Sequence, residues 1–290
     1  MTQAPSPILD RLPIIQTKGN VDNSGSVDYP HGMATTRIAG MQSLRERYRK
    51  IQDRIAEAAT RRGRHPDDVL MVAVTKSASP DEIRNLVEMG HQDLGESQVQ
   101  QLQQRVVGLE EFLGRKKFLS RGATKPNDQS PVEVRWHMVG HLQRNKVKQT
   151  VPLVKLIHSV DSLRLAEELH ALGSRLDKDI DILLQVNTSG EESKFGVAAP
   201  AALHLAEQLD TMVHLRVRGL MSMAPKSDNP EDARGTFARC ADIFGDIRSA
   251  KIGGSHFNIL SMGMSNDFEV AIEEGANLVR IGRALFGDDS

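Results

Sequence analysis

From Met41 onward the chain repeats one unit, a short apolar run followed by an amphipathic segment. That repetition limits the possible folds more than any single residue does. The apolar runs fall at 69–75, 91–95, 134–140, 156–159, 180–187, 215–222, 256–261 and 277–281. Each is too short for a typical helix and is bounded by turn residues, which predicts a strand. Segments 80–89, 162–172, 200–209, 230–248 and 266–274 carry apolar residues at helical spacing. Eight β–α units over about 250 residues predict a single α/β domain, a (β/α)₈ barrel. An open doubly wound sheet is the alternative, but no G-x-G-x-x-G follows the first strand. Only nine residues follow Ile281, too few for a full closing helix. Segment 41–62 has Leu44, Tyr48, Ile51, Ile55 and Ala58 at helical spacing and Gly63 as a stop, and is expected to close the ring instead.

What lies outside the repeat is plainer. Residues 1–40 are rich in Pro, Gly, Ser and Thr and read as a disordered extension, leaving 41–290 as the barrel. They contain no apolar stretch like that of a secretory signal, and Asp10, Asp22 and Asp28 balance Arg11, Lys18 and Arg37, against a transit peptide. Segment 114–133 reads as a basic surface loop. With 37 basic and 38 acidic side chains, the net charge of −1 gives no electrostatic reason for a nucleic-acid or membrane partner. No apolar run approaches the length of a membrane span. The one cysteine, Cys240, cannot form an internal disulfide, so a reducing, cytoplasmic location is expected.

In a (β/α)₈ barrel the residues just past the strand ends converge on one rim, where active sites lie. Here that rim collects Lys76, Ser97 in "GES", His158 in "HSVD", and Asn187 with Lys194 in "NTSGEESKFG". It also collects Met262 and Gly263 in "SMGMSND", and Arg280, Gly282 and Arg283 in "RIGR". Alone, the lysine of "MVAVTKSASP" would be a solvated residue ending a strand. On this rim it becomes a candidate for amine chemistry, favoured if the site desolvates it. After the seventh strand, a helix starting at Ser265 or Asn266, with Glu269 as a capping-box partner, would offer N–H groups and a hydroxyl to an anion. Gly282 would let the backbone approach a ligand closely. An ordinary cap and an ordinary turn glycine are the plain alternative. Arg280, inside "NLVRIG", falls on a strand buried on both faces and needs an acceptor, either a carboxylate of the barrel or a ligand.

An amine, an anion cradle and a fixed cation together suit a phosphorylated aldehyde. Pyridoxal 5′-phosphate matches, with its aldehyde on Lys76 as a Schiff base, its phosphate at Ser265 and Gly282, and its ring nitrogen at Arg280. His137 and His141 are four apart, but strand and loop spacing does not bring them to one face, and no metal site is expected.

The segments "VAVTK", "WHMVGHLQRNK", "HSVD", "VNTSGEESKFG", "GLMSMAP" and "LSMGMSNDFEVAIEEGANLVRIGRALFG" resemble the YggS/PROSC family of pyridoxal-phosphate homeostasis proteins, related to the barrel of alanine racemase. The resemblance implies that Lys76 carries the cofactor and that Arg280 faces the pyridine nitrogen. It implies that Ser265 and the backbone of Gly282 and Arg283 hold the phosphate. The family often has Asn where this chain has Ser97. An arginine donor keeps the ring nitrogen unprotonated and weakens the cofactor as an electron sink. Racemases of this arrangement add a tyrosine base from a second domain, whereas Tyr29 and Tyr48 both precede the first strand here. The expectation is therefore a monomeric, non-catalytic carrier that passes the cofactor to apo-enzymes, with Lys194 either assisting exchange or merely solvated. An amino-acid racemase and a cofactor-free Schiff-base aldolase are the alternatives.

Overall fold

Hydrogen bonding joins the eight expected runs into one closed, all-parallel ring. The computed structural model describes residues 31–120, 133–191 and 195–287. The ring strands are β1 (Leu70–Val74), β2 (Asp93–Glu96), β3 (Arg135–Met138), β4 (Leu156–Val160) and β5 (Ile180–Asn187), then β7 (Leu215–Met221), β8 (Ile259–Ser261) and β9 (Leu278–Ile281). Their order is β4-β3-β2-β1-β9-β8-β7-β5, and a β4–β5 pairing closes the circle. A two-residue strand, β6 (Val197–Ala198), lies beside β5 outside the ring.

The two-residue period of each strand sorts its side chains. Met71, Ala73, Val279 and Ile281 point outward and pack with Ile83, Leu86, Leu102 and Val106 of the surrounding helices. Val72, Leu156, Leu183, Met221, Ile259 and Leu278 form a smaller interior cluster. Around the ring run α1 (His31–Arg61), α2 (Pro80–Glu88), α3 (Val99–Ser120), α4 (Val147–Thr150), α5 (Leu163–Leu176), α6 (Ala202–Asp210), α7 (Arg234–Ser249), α8 (Phe268–Glu273) and α9 (Arg283–Phe286). None of these is long and apolar enough to cross a membrane.

Helix α1 packs against α8 and the short α9 that follows the last strand. Its buried Leu44, Ile51, Ile55 and Ala58 pack against the last elements of the chain. Arg47 Nε donates to Leu285 O at 2.6 Å, and Arg54 and Arg61 pair with Glu269 and Glu273, each at 2.8 Å.

Two expectations change. Helix α1 begins at His31 rather than at 41, because no proline interrupts the chain between Pro30 and Gly63 and each added turn extends an existing helix cheaply. The expected disorder of residues 1–30 falls outside the described residues. Between β2 and β3 the chain forms α3, which runs through Gly114 to Ser120 where a loop was expected. A helical glycine costs only about 1 kcal/mol. Arg115 pairs with Glu111 and Lys116 with Glu88 across that point. Residues 121–132 of the expected loop lie outside the described ones.

Candidate functional site

A cavity of about 580 Å³ opens at the C-terminal ends of the strands. Lys76, Ser97, Ser265, Arg280, Gly282 and Arg283 all line it, so the structure brings together the central residues of the expected site.

Lys76 lies two residues past β1, in a turn that leads into α2. Ser79 caps that helix through a reciprocal pair: its hydroxyl accepts from Glu82 N at 3.3 Å, and the Glu82 carboxylate accepts from Ser79 N at 2.9 Å. Pro80 occupies the first turn, where a missing N–H costs nothing. The carbonyls of Thr75, Lys76 and Ala78 all accept from the guanidinium of Arg105 on α3. Arg105 also pairs with Glu96 at 2.6 Å. The Glu96 carboxylate is fully buried and accepts from Thr75 Oγ1 at 2.6 Å and Ser97 N at 3.0 Å. One carboxylate thus ties the Lys76 turn to the Ser97 turn. The Lys76 side chain itself is exposed, contrary to the desolvated setting expected, because the turn lifts it clear of the apolar interior. Gly140 lets the neighbouring rim segment pack against Ser97: a Cβ there would come within 2.2 Å of Ser97 O.

On the opposite wall, Ser265 Oγ accepts from Ala284 N at 3.1 Å, beside Gly282 and Arg283. A Cβ at Gly282 would meet Val74 O at 3.2 Å, so bare backbone is presented at this point. The capping expectation needs correction. Helix α8 starts at Phe268, its preceding Asp267 accepts from Met264 N at 2.6 Å, and Glu269 turns outward to Arg54. Ser265 and Gly282 thus meet where α9 begins, and Asp267 rather than Ser265 or Asn266 precedes α8.

Arg280 is buried, and its acceptors among the described residues are neutral: Nη1 donates to Ser261 Oγ at 2.6 Å and Nη2 to Ser222 O at 3.0 Å. Of the two acceptors considered from sequence, the barrel carboxylate is not the one it touches. Burial pulls its pKa down to about 10, with the charge of Asp267 acting the other way, so it is a cation at neutral pH. Below it a buried polar chain crosses the barrel. His158 Nδ1 lies 3.2 Å from Ser261 Oγ, His158 Nε2 lies 3.0 Å from His137 Nδ1, and His137 Nε2 lies 3.1 Å from Asp93 Oδ1. Arg135 holds both oxygens of Asp93. Burial opposes ionisation of Asp93, but the Arg135 and His137 hydrogen bonds outweigh it and hold the carboxyl well below the usual range. Burial, reinforced by His137 and Arg280, depresses His158 well below an ordinary imidazole and keeps it neutral.

Other candidates lie apart from the cavity. Met262 is buried in the outer core, and Gly263, at φ +87°, serves packing: a Cβ there would come within 2.6 Å of Ala271 Cβ. Asn187 turns back onto its own loop, donating to Glu191 O at 2.8 Å. His158 sits beneath the site rather than on its rim, and Lys194 is outside the described residues. His137 is inside the barrel whereas His141 is on the rim, stacked on Phe195 at 4.3 Å and paired with Asp161 at 3.3 Å. Among the described residues no three His, Cys, Asp or Glu side chains gather as metal ligands. Sequence reasoning missed Glu96, Arg105, Gln185, Phe195, Met223 and Met264. Glu96 carried a signal, since a carboxylate at the end of a buried strand needs a cation for the same reason Arg280 needs an acceptor.

A parallel barrel with this rim defines a class, and the chain belongs to it: the family of the alanine racemase N-terminal domain, whose model matches residues 42–290. Within that class its similarity runs to the pyridoxal phosphate homeostasis proteins. It is 36% identical to the one from Helicobacter pylori (strain ATCC 700392 / 26695), over 85% of this chain and 99% of that protein. It is 34% identical to the one from Aquifex aeolicus (strain VF5), over 84% of this chain and 97% of that protein. Among solved structures it resembles PipY of Synechococcus elongatus PCC7942 with PLP bound, at a TM-score of 0.62 and 28% identity, covering 80% of this chain and 100% of that one.

Proposed function

We propose that this protein binds pyridoxal 5′-phosphate and acts in its homeostasis, holding the cofactor on Lys76 as a Schiff base and releasing it by hydrolysis. The observation that carries this reading is the meeting of three unlike groups in one cavity: an amine, a serine hydroxyl beside the bare backbone of Gly282, and a buried cation with only neutral acceptors. The relatives' shared name, and the PLP held by PipY, support it.

When bound, the cofactor would supply an aldehyde, and Lys76 is the residue whose amine would hold it, with one water lost on capture and taken up again on release. The Ser265 hydroxyl and the backbone N–H groups of Gly282 and Arg283 hold the phosphate. Arg280 donates to the pyridine nitrogen and, being unable to give up its proton, leaves that nitrogen unprotonated. This weakens the ring as an electron sink, in keeping with a carrier rather than a catalyst. No tyrosine lines the cavity among the described residues, and Tyr48 reaches His91 instead, at 3.3 Å. The proposal places a monomer in the cytoplasm, with PLP-dependent apo-enzymes as recipients.

The test is the visible spectrum of the purified protein, followed by borohydride reduction and peptide mapping. A yellow protein labelled on Lys76 is expected. A colourless protein that gains no band when pyridoxal phosphate is added would overturn the proposal. Conversion of an L-amino acid to its D form by the loaded protein would replace the carrier with a racemase.

A further inference from the structure

The polar chain beneath Arg280 has a direction, and the direction can be derived. Arg280 can only donate, so Ser261 Oγ accepts from it. At the far end the Asp93 carboxylate can only accept, so His137 Nε2 must carry a proton. Between these ends lie two hydrogen bonds, Ser261–His158 and His158–His137, whose donors are set by the imidazole protons.

Three arrangements satisfy both ends. In the first, both imidazoles are neutral and protonated on Nε2. Ser261 then donates to His158 Nδ1, His158 donates to His137 Nδ1, and His137 donates to Asp93. In the second, His137 is doubly protonated and donates from both nitrogens, forcing His158 to donate from Nδ1 to Ser261. In the third, His158 is doubly protonated and donates to both His137 Nδ1 and Ser261 Oγ, which adds the same extra charge as the second. Asp93 already holds Arg135 through both carboxylate oxygens, so that pair is electrically balanced. A second imidazole proton would add an unbalanced positive charge to an interior that already contains Arg280 with neutral acceptors. Uncompensated buried charge is the costlier choice. The first arrangement wins.

We infer that Asp93, His137, His158 and Ser261 form a one-way hydrogen-bond relay that positions Arg280. The relay points the Ser261 proton at His158, and so leaves the Ser261 lone pairs to hold Nη1 of Arg280. Of the five guanidinium N–H donors, two go to Ser261 and Ser222, which fixes the plane of the rest. The relay's effect on a ligand rests on the reading that Arg280 meets the pyridine nitrogen; its polarity does not. All four are positioning residues, since Arg280 alone would touch the ring.

The polarity is tested on ¹⁵N-histidine-labelled full-length protein without added cofactor. Long-range imidazole ¹H–¹⁵N correlation spectra at pH 7 are assigned with His137→Gln and His158→Gln. Both residues are expected as neutral Nε2–H tautomers. An imidazolium or an Nδ1–H tautomer at either position overturns the inference. The positioning role is tested with Ser261→Ala and Ser261→Thr, with thermal melts reporting folding. Loss of the hydroxyl is expected to weaken pyridoxal phosphate binding about tenfold and to shift its visible absorption maximum, with Thr restoring both. A folded Ser261→Ala protein with unchanged affinity and an unshifted band overturns the positioning role. If wild-type protein takes up no label on Lys76, the cofactor reading fails instead, and the NMR result stands by itself.

Discussion

Lys76 and Arg280 face the same cavity and are held in opposite ways. Lys76 has an exposed amine on a clamped backbone: Arg105 grips the carbonyls of its turn while the side chain stands in the open. Arg280 has a buried head group fixed by its own hydrogen bonds to Ser261 and Ser222. A group that must form and break a covalent bond benefits from a fixed origin and a free reach. A group that orients a ring benefits from a fixed tip. In each case the barrel spends buried polar contacts on the atom whose place matters.

Tests at four places would break or sharpen that contrast. The largest effect is expected at the free tip. Lys76→Ala should abolish borohydride labelling and let the cofactor leave on dialysis. The change in stability on urea unfolding should stay within about 0.5 kcal/mol, because the side chain is exposed. A variant that keeps full labelling at another lysine would show the assignment to be incomplete.

The clamp comes next. Arg105→Leu leaves the buried Glu96 without its cation and is expected to cost about 3–5 kcal/mol in urea unfolding. The double variant Glu96→Gln with Arg105→Met should recover most of the loss in stability but not the rate of covalent capture by Lys76. Equal recovery of both would reduce the clamp to a structural pair.

Acid should then loosen the Arg280 end first. Burial depresses the pKa of both His91 and His158, so the folded protein binds fewer protons there than the unfolded chain does. Stability is therefore expected to fall as pH drops below the ordinary imidazole value of about 6.5, by up to about 1.4 kcal/mol per pH unit for each group. His158→Gln should flatten that slope, as read from melting curves between pH 7 and 5. An unchanged slope would remove His158 from the account. The smallest effect is expected at Ser97, a cavity residue whose backbone is anchored by Glu96. Ser97→Asn should change pyridoxal phosphate affinity by less than about fivefold in a Kd titration.

Most ring strands were legible because they are buried on both faces and so read as apolar runs, whereas β2 (Asp93–Glu96) and β3 (Arg135–Met138) carry polar residues between their apolar ones. The closing role of α1 was legible from Leu44, Ile51 and Ile55 at one helical spacing and from the short tail after Ile281. Helix α3 was not, although Val99, Leu102, Val106 and Leu109 mark its buried face, because Gly108 and Gly114 and a run of basic residues look like loop composition. Helix α8 was placed too early because Ser265 and Asn266 are as good caps as Asp267. The choice among them shows in the backbone, where Ala271 N donates to Asp267 O at 3.0 Å, and in the turn bond from Met264 N to Asp267. The relay was invisible for a different reason. Asp93 and Arg135 are register partners on adjacent strands, as are Gly95 and His137, and no local pattern encodes register between distant segments.

Because α1 closes the ring from the wrong end of the chain, the barrel cannot be finished while it is being made. Arg47 waits 238 residues for the carbonyl of Leu285. At roughly 5–20 residues per second of synthesis, that is an interval of roughly 12–50 s. Throughout it the apolar stripe of Leu44, Ile51 and Ile55 has only part of its eventual surface to cover. A nascent chain stalled after β8 would carry that stripe exposed beside an open sheet edge, the kind of species that chaperones retain and proteases remove.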